Sequence, residues 1–111
     1  MQQRSDDNLV VLSGRLTDDA KLNETDGGTN FLTFSLASNE YYSDKTGNES
    51  KKTCFVDCVL WGVAAKNYAD RISKGSPVRI TGRIETRKLD KKTFTQLNVS
   101  GIYLLNPGSA E

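Results

Sequence analysis

With 111 residues, of which 36% are hydrophobic and 26% charged, the chain is long enough for one packed domain and too short for two ordinary ones. Its net charge of +1 hides a segregation: residues 1–44 carry 3 basic and 8 acidic side chains, residues 45–92 carry 12 and 5, and residues 93–111 carry only Glu111. No apolar run approaches the roughly 18 to 20 residues that cross a bilayer, and residues 1–8 lack the apolar stretch of a signal peptide, so a soluble cytoplasmic protein without membrane contact is expected.

In Val10-Val11-Leu12-Ser13-Gly14-Arg15-Leu16, Val10, Leu12 and Leu16 share a parity while the other parity turns polar at Ser13 and Arg15, which predicts a strand buried on one side. Asp26-Gly27-Gly28 signals a turn. After it Leu32, Phe34 and Leu36 alternate with Thr33 and Ser35, the pattern of a neighbouring antiparallel strand over 31–36. Residues 41–52 are polar, with Asp44-Lys45-Thr46-Gly47-Asn48 as a hairpin tip, and residues 53–62 turn β-rich again. There Cys54, Val56, Cys58 and Leu60 predict a core face. Phe55, Asp57, Val59 and Trp61 predict an outer face, and aromatics exposed on it need a reason.

Cys54 and Cys58 are the only thiols. Four residues of strand separate them by roughly 13 Å, beyond disulfide reach, so both are expected as small core residues of a reducing compartment. The spacing of Ala64, Ala65, Tyr68, Ala69 and Ile72 predicts a helix over 63–74, stopped by Gly75 and Pro77. Next, Val78, Ile80, Gly82 and Ile84 alternate with Arg79, Thr81, Arg83, Glu85 and Arg87 in a half-buried strand, and residues 88–92 form a basic turn. In the last strand, 94–105, Leu97 and Val99 lie on one parity and Ile102 and Leu104 on the other, which predicts a bulge near Gly101. Five strands with one helix between the third and fourth predict an all-β Greek-key barrel of the oligonucleotide-binding kind.

Histidine is absent. With it go the commonest general base, the usual zinc ligand and the imidazole of serine and cysteine triads. Gly27-Gly28 lacks the context of a phosphate-cradling loop, and Asp18 and Asp19 look like a turn. No catalytic residue, cofactor or metal is expected.

Single-stranded nucleic acid asks for cations along its backbone and flat apolar side chains under its bases. Tyr42, Phe55 and Trp61 are the aromatic candidates. Lys45, Lys51 and Lys52 lie between the first two, and Arg79, Arg83, Arg87 and Lys88 follow on the fourth strand. Each feature has a plainer explanation: a second core or subunit contact for the aromatics, and a solvated ladder for the arginines, with Glu85 pairing Arg83 or Arg87. Asp57 reads as the partner of a neighbouring cation. For charge alone, a solvated face explains the basic middle block more simply than a polyanionic ligand does.

Residues 10–16, Phe34-Ser35-Leu36-Ala37-Ser38-Asn39-Glu40, Asp57-Cys58-Val59-Leu60-Trp61-Gly62 and residues 74–83 (Lys74-Gly75-Ser76-Pro77-Val78 through Gly82-Arg83) resemble the bacterial-type single-stranded DNA-binding proteins, in the right order and at the right separations. The resemblance runs from about Asn8 to Leu105. It implies an oligonucleotide-binding barrel over 8–105, with 1–7 as a disordered segment and 106–111 as a short end. It further implies a homotetramer that wraps single-stranded DNA without reading sequence during replication, recombination and repair, in a bacterial cytoplasm at the nucleoid. Its aromatic positions fall on Tyr42, Phe55 and Trp61.

Two departures from the family pattern stand out. Leu89 occupies the place where well-known members carry a tryptophan, which predicts weaker binding or a smaller site. The chain ends at Glu111 without the acidic tip through which such proteins recruit replication and repair enzymes, so a primosomal-type replication-restart relative is the alternative. From another class, a protein-interaction scaffold with the aromatics at an interface stays open.

Overall fold

Apolar side chains at every second position need a surface to cover, and the chain meets that need by rolling its strands into a barrel. The computed structural model describes residues 6–105. Of the expected N-terminal segment, Asp6 and Asp7 are described, as exposed coil, and residues 106–111 lie outside the described residues. Strands β1 (Val10–Leu16), β2 (Lys21–Glu24), β3 (Asn30–Ser43) and β4 (Glu49–Trp61) precede helix α1 (Val63–Tyr68), and β5 (Pro77–Leu89) and β6 (Lys92–Leu104) follow it.

The sheet runs β1-β5-β6-β4-β3 and returns to β1 through Arg15 opposite Ala37 and Leu16 opposite Leu36. Five strands thus close a barrel, with β4 and β6 parallel and the other pairs antiparallel. This is the oligonucleotide-binding architecture the alternation predicted. The sixth strand, β2, hangs on the outer edge of β3 opposite 30–33. All four of its residues are exposed, so no burial pattern announced it.

Leu32, Leu36, Val78 and Ile80 are fully buried and form the centre of the core with Leu16, Phe34, Leu60, Leu97, Val99 and Ile102. Removal of such a side chain typically costs about 2–5 kcal/mol. Helix α1 is 6 residues long rather than the 12 that 63–74 predicts. The chain tightens after Tyr68, whose carbonyl accepts from Arg71 N at 2.9 Å and Ile72 N at 3.3 Å. Even so, the apolar stripe serves its purpose. Ala65 and Ile72 are buried, Ala64, Tyr68 and Ala69 pack on the core, and Tyr68 Oη donates to Ile102 O at 3.1 Å.

The phase change in β6 is a bulge. Thr81 faces Gly101 and Gly82 faces Val99, which leaves Ser100 as the extra residue. The acidic turn after β1 is held by Asp18 Oδ1, which accepts from Asp19 N, and by Asp19 Oδ1, which accepts from Lys74 N, each at 2.8 Å.

The cysteines divide. Cys58 is buried, and burial together with the Asp57 carboxylate pushes its thiol up to about 12, so it stays protonated and inert at neutral pH. Cys54, expected in the core on parity, is exposed. It pairs with Ser38 on the stretch of the β3–β4 ribbon that has run past the barrel, where the core-facing parity meets solvent.

Candidate nucleic-acid interface

Residues directly opposite one another in a ladder share a face. The β3–β4 register pairs Phe31 with Trp61, Thr33 with Val59, Ser35 with Asp57, Ala37 with Phe55 and Tyr41 with Lys51. All ten therefore lie on the outer side, away from Leu32, Phe34 and Leu36. The parallel contact sets Val59 opposite Asn98 and carries the face onto β6, where Phe94 and Gln96 share the parity of Asn98. From there the β5–β6 ladder adds Arg83 opposite Asn98, Glu85 opposite Gln96 and Arg87 opposite Phe94. Phe55, Trp61, Lys51, Arg83 and Arg87 thus meet on one surface spanning four strands.

On this surface Phe55 is 70% exposed and Trp61 43% exposed. Trp61 is steadied by Phe31, with ring centroids 4.8 Å apart and planes tilted by 32°, a geometry inside the range of favourable aromatic pairs. Val59, grouped with the outer face by parity, is 4% exposed. It is flanked by Thr33 on one side and Asn98 on the other, so neighbours on both strands cover it.

The polar groups between the two aromatics hold each other. Ser35 Oγ donates to Asp57 Oδ1 at 2.6 Å, a hydroxyl partner where the sequence suggested a cation. Gln96 Nε2 donates to Glu85 Oε1 at 2.8 Å and Asn98 Nδ2 to Glu85 Oε2 at 3.4 Å. Glu85 is thereby engaged by two amides instead of by Arg83 or Arg87, which removes the ion-pair ladder as an explanation for those arginines.

Other candidates are placed elsewhere. Arg79 keeps the outward parity but stands opposite Tyr103, beyond the bulge and about 13 Å along β5 from Arg83. Tyr42, opposite Ser50, and Lys52, opposite Glu40, take the core-side parity on the protruding ribbon, so they lie on its reverse from Phe55 and Trp61. Lys88, opposite Thr93, is likewise on the reverse of the β5–β6 hairpin from Arg87. All of these side chains are exposed. Lys45 sits at the ribbon's tip. There Asp44 Oδ1 accepts from Thr46 Oγ1 at 2.7 Å, Thr46 N at 2.9 Å and Asn48 N at 3.0 Å. The Thr46 hydroxyl, then the Asn48 amide, hold the Asp44 carboxyl below its usual range.

Three further aromatics of this face escaped the sequence reading: Phe31, Tyr41 and Phe94. The signal for Phe31 and Phe94 was present. Phe31 is out of phase with Leu32, Phe34 and Leu36, and Phe94 is out of phase with Leu97 and Val99, the same mark that singled out Phe55. Tyr41 carried no such signal, because it lies in the polar stretch 41–52, where burial does not mark the continuation of β3.

The profile of the Single-strand binding protein family matches residues 7–103. The single-stranded DNA-binding protein of Lactiplantibacillus plantarum is 36% identical over 99 residues, covering 89% of this chain and 48% of that protein. That of Halalkalibacterium halodurans is 35% identical over 109 residues, covering 94% of this chain and 64% of that one. The chain therefore spans between about half and two thirds of the length of these two relatives. Among solved structures, the wild-type single-stranded DNA-binding protein of Thermus aquaticus superposes with a TM-score of 0.82 at 28% identity, over 91% of this chain and 51% of that one. The Plasmodium falciparum SSB complex with ssDNA gives a TM-score of 0.83 at 28% identity, over 96% of this chain and all of that one. The chain belongs to the single-strand binding protein family.

Proposed function

We propose that this member of the single-strand binding protein family binds single-stranded DNA without reading its sequence and protects it during replication, recombination and repair. Bases stack on Phe55 and Trp61, with Tyr42 on the reverse of the same ribbon. Arg83 and Arg87 neutralise phosphates beside them, and Arg79, Lys45, Lys51, Lys52 and Lys88 extend the positive path along strand and hairpin. The binding unit is residues 8–105. It acts as a homotetramer in a bacterial cytoplasm, at the nucleoid, performs no chemical step and needs no cofactor.

The observation that carries this reading is the exposure of Phe55 and Trp61 on one face with two arginines whose obvious acidic neighbour, Glu85, is engaged elsewhere. Stacking on an aromatic serves any base, and a cation beside it serves any phosphate, so the combination is indifferent to sequence. Between the two aromatics, Ser35 and Asp57 are engaged with each other.

Binding driven by phosphate neutralisation is salt-dependent. With Arg79, Arg83 and Arg87 each releasing a counterion, the slope of log affinity against log salt should be at least about −2, from about −0.7 per phosphate on a single strand. Fluorescence anisotropy of a labelled oligothymidylate across a salt series measures it, with a duplex of equal length alongside. Arg87→Ala should make the slope shallower by about 0.7. Equal affinity for single strand and duplex, or no complex at low salt, would give the aromatic face to a protein partner instead.

A further inference from the structure

Phe94 is an aromatic without an assigned task. Alternation in β6 sends Leu97 and Val99 into the core, at 3% and 4% exposure, and sends Phe94 outward, where it is 46% exposed. A phenylalanine ring offers no polar edge to water, and on the same face as Phe55 and Trp61 it extends an apolar surface that a flat ligand can cover. Directly opposite on β5 stands Arg87, and the next outward pair toward the hairpin tip is Leu89 with Lys92.

The surroundings say what kind of group covers it. β4 and β6 pair only at Cys58–Leu97 and Val59–Asn98, so the two hairpins separate below that point. An open cleft of about 260 Å³ lies between them, lined by Asp57, Arg87, Leu89, Phe94, Thr95 and Gln96. Two of its polar walls are already occupied, Asp57 by Ser35 and Gln96 by Glu85. What the cleft offers an incoming ligand is a ring face, an aliphatic edge from Leu89 and the Arg87 guanidinium. A nucleotide presents the matching parts, a flat base for the ring and a phosphate for the cation.

We infer that Phe94 is a third base-stacking platform of the outer face, working with Arg87 as a one-nucleotide unit on the β5–β6 hairpin. The inference rests on the single-stranded DNA-binding reading and adds to it. The bound strand leaves the β3–β4 ribbon at Phe55, crosses the cleft and places a base on Phe94. Arg87 faces Phe94 directly across the ladder and takes the phosphate of that nucleotide. Phe94 supplies stacking without charge and Arg87 supplies charge, so their variants separate in salt.

Anisotropy titration of wild type, Phe94→Ala and Phe94→Trp with a labelled oligothymidylate tests this. Phe94→Ala should weaken binding by about 5- to 150-fold, from one stacking contact, with the salt slope unchanged. In a Trp61→Phe background, Phe94→Trp should restore high affinity and show emission quenched by the oligonucleotide. Wild-type binding with full affinity in Phe94→Ala and an unquenched Trp at 94 would overturn the platform and leave DNA binding standing. So would a change of oligomeric mass in Phe94→Ala at unchanged affinity per binding site, since a second copy would then be the covering group. Failure of wild type itself to bind would remove the underlying reading and the platform together.

Discussion

Phe55→Ala and Trp61→Ala, each alone, should weaken binding of single-stranded DNA by about 1–3 kcal/mol, the value of one base stacked on one aromatic ring. The two rings lie six residues apart on β4, about 20 Å along an extended strand. Contributions from sites this far apart are close to additive. The double variant should therefore lose about 2–6 kcal/mol, or about 30- to 20,000-fold in affinity. The loss must be read against folding. Phe55 is largely exposed, so its truncation should leave stability within about 0.5 kcal/mol. Trp61→Ala also gives up the contact with Phe31, worth about 0.5–1.5 kcal/mol. Thermal unfolding of each variant separates the two effects. A double variant that binds as wild type does would remove both rings from the interface.

Gly14→Ala and Gly82→Ala should be the most damaging single changes to the fold. A Cβ on Gly14 would overlap the carbonyl of Ala37, at the crossing where β1 leaves β5 and closes the barrel onto β3. On Gly82, which pairs with both Val10 and Val99 beside the bulge, it would overlap the carbonyl of Asn98. Overpacking commonly costs about 1–3 kcal/mol and occasionally more. Because the struck atoms are backbone and cannot rotate away, the upper end applies. A loss of about 3 kcal/mol lowers the melting temperature by about 12–24 °C in a domain of this size. Gly27→Ala is the matched control, since its Cβ meets only the Thr25 hydroxyl at 4.0 Å. If all three variants melt together, the close approaches at Gly14 and Gly82 do not constrain the barrel.

What the sequence made legible was whatever burial enforces. Alternation at Val10, Leu12 and Leu16, at Leu32, Phe34 and Leu36, and at Val78 and Ile80 placed three barrel strands, because a one-residue slip would move each set into water. The phase change between Val99 and Ile102 signalled a bulge near Gly101 for the same reason, and the register makes Ser100 the extra residue. Asp44 and Gly47 marked the ribbon tip through turn chemistry that needs no tertiary partner. Where burial stops, the pattern loses its meaning. Cys54 keeps the core-side parity of Cys58, but the strand carrying it has left the barrel. β2 was invisible because none of its side chains is buried. At the interface Phe55, Trp61, Arg83 and Arg87 were legible as outward residues. The separation of Tyr42, Lys52 and Lys88 from them follows from strands that run on through stretches the sequence marks only as polar or as turn.

Stacking of bases on the outer face of β4 is reported directly by the emission of Trp61, the sole tryptophan. Titration with oligothymidylate at low salt should quench that emission to saturation. Added salt should reverse the quenching, and duplex of equal length should leave it unchanged. An emission that stays constant while an independent mobility shift shows the complex formed would contradict stacking at Trp61 and place the bound strand on another face of the barrel.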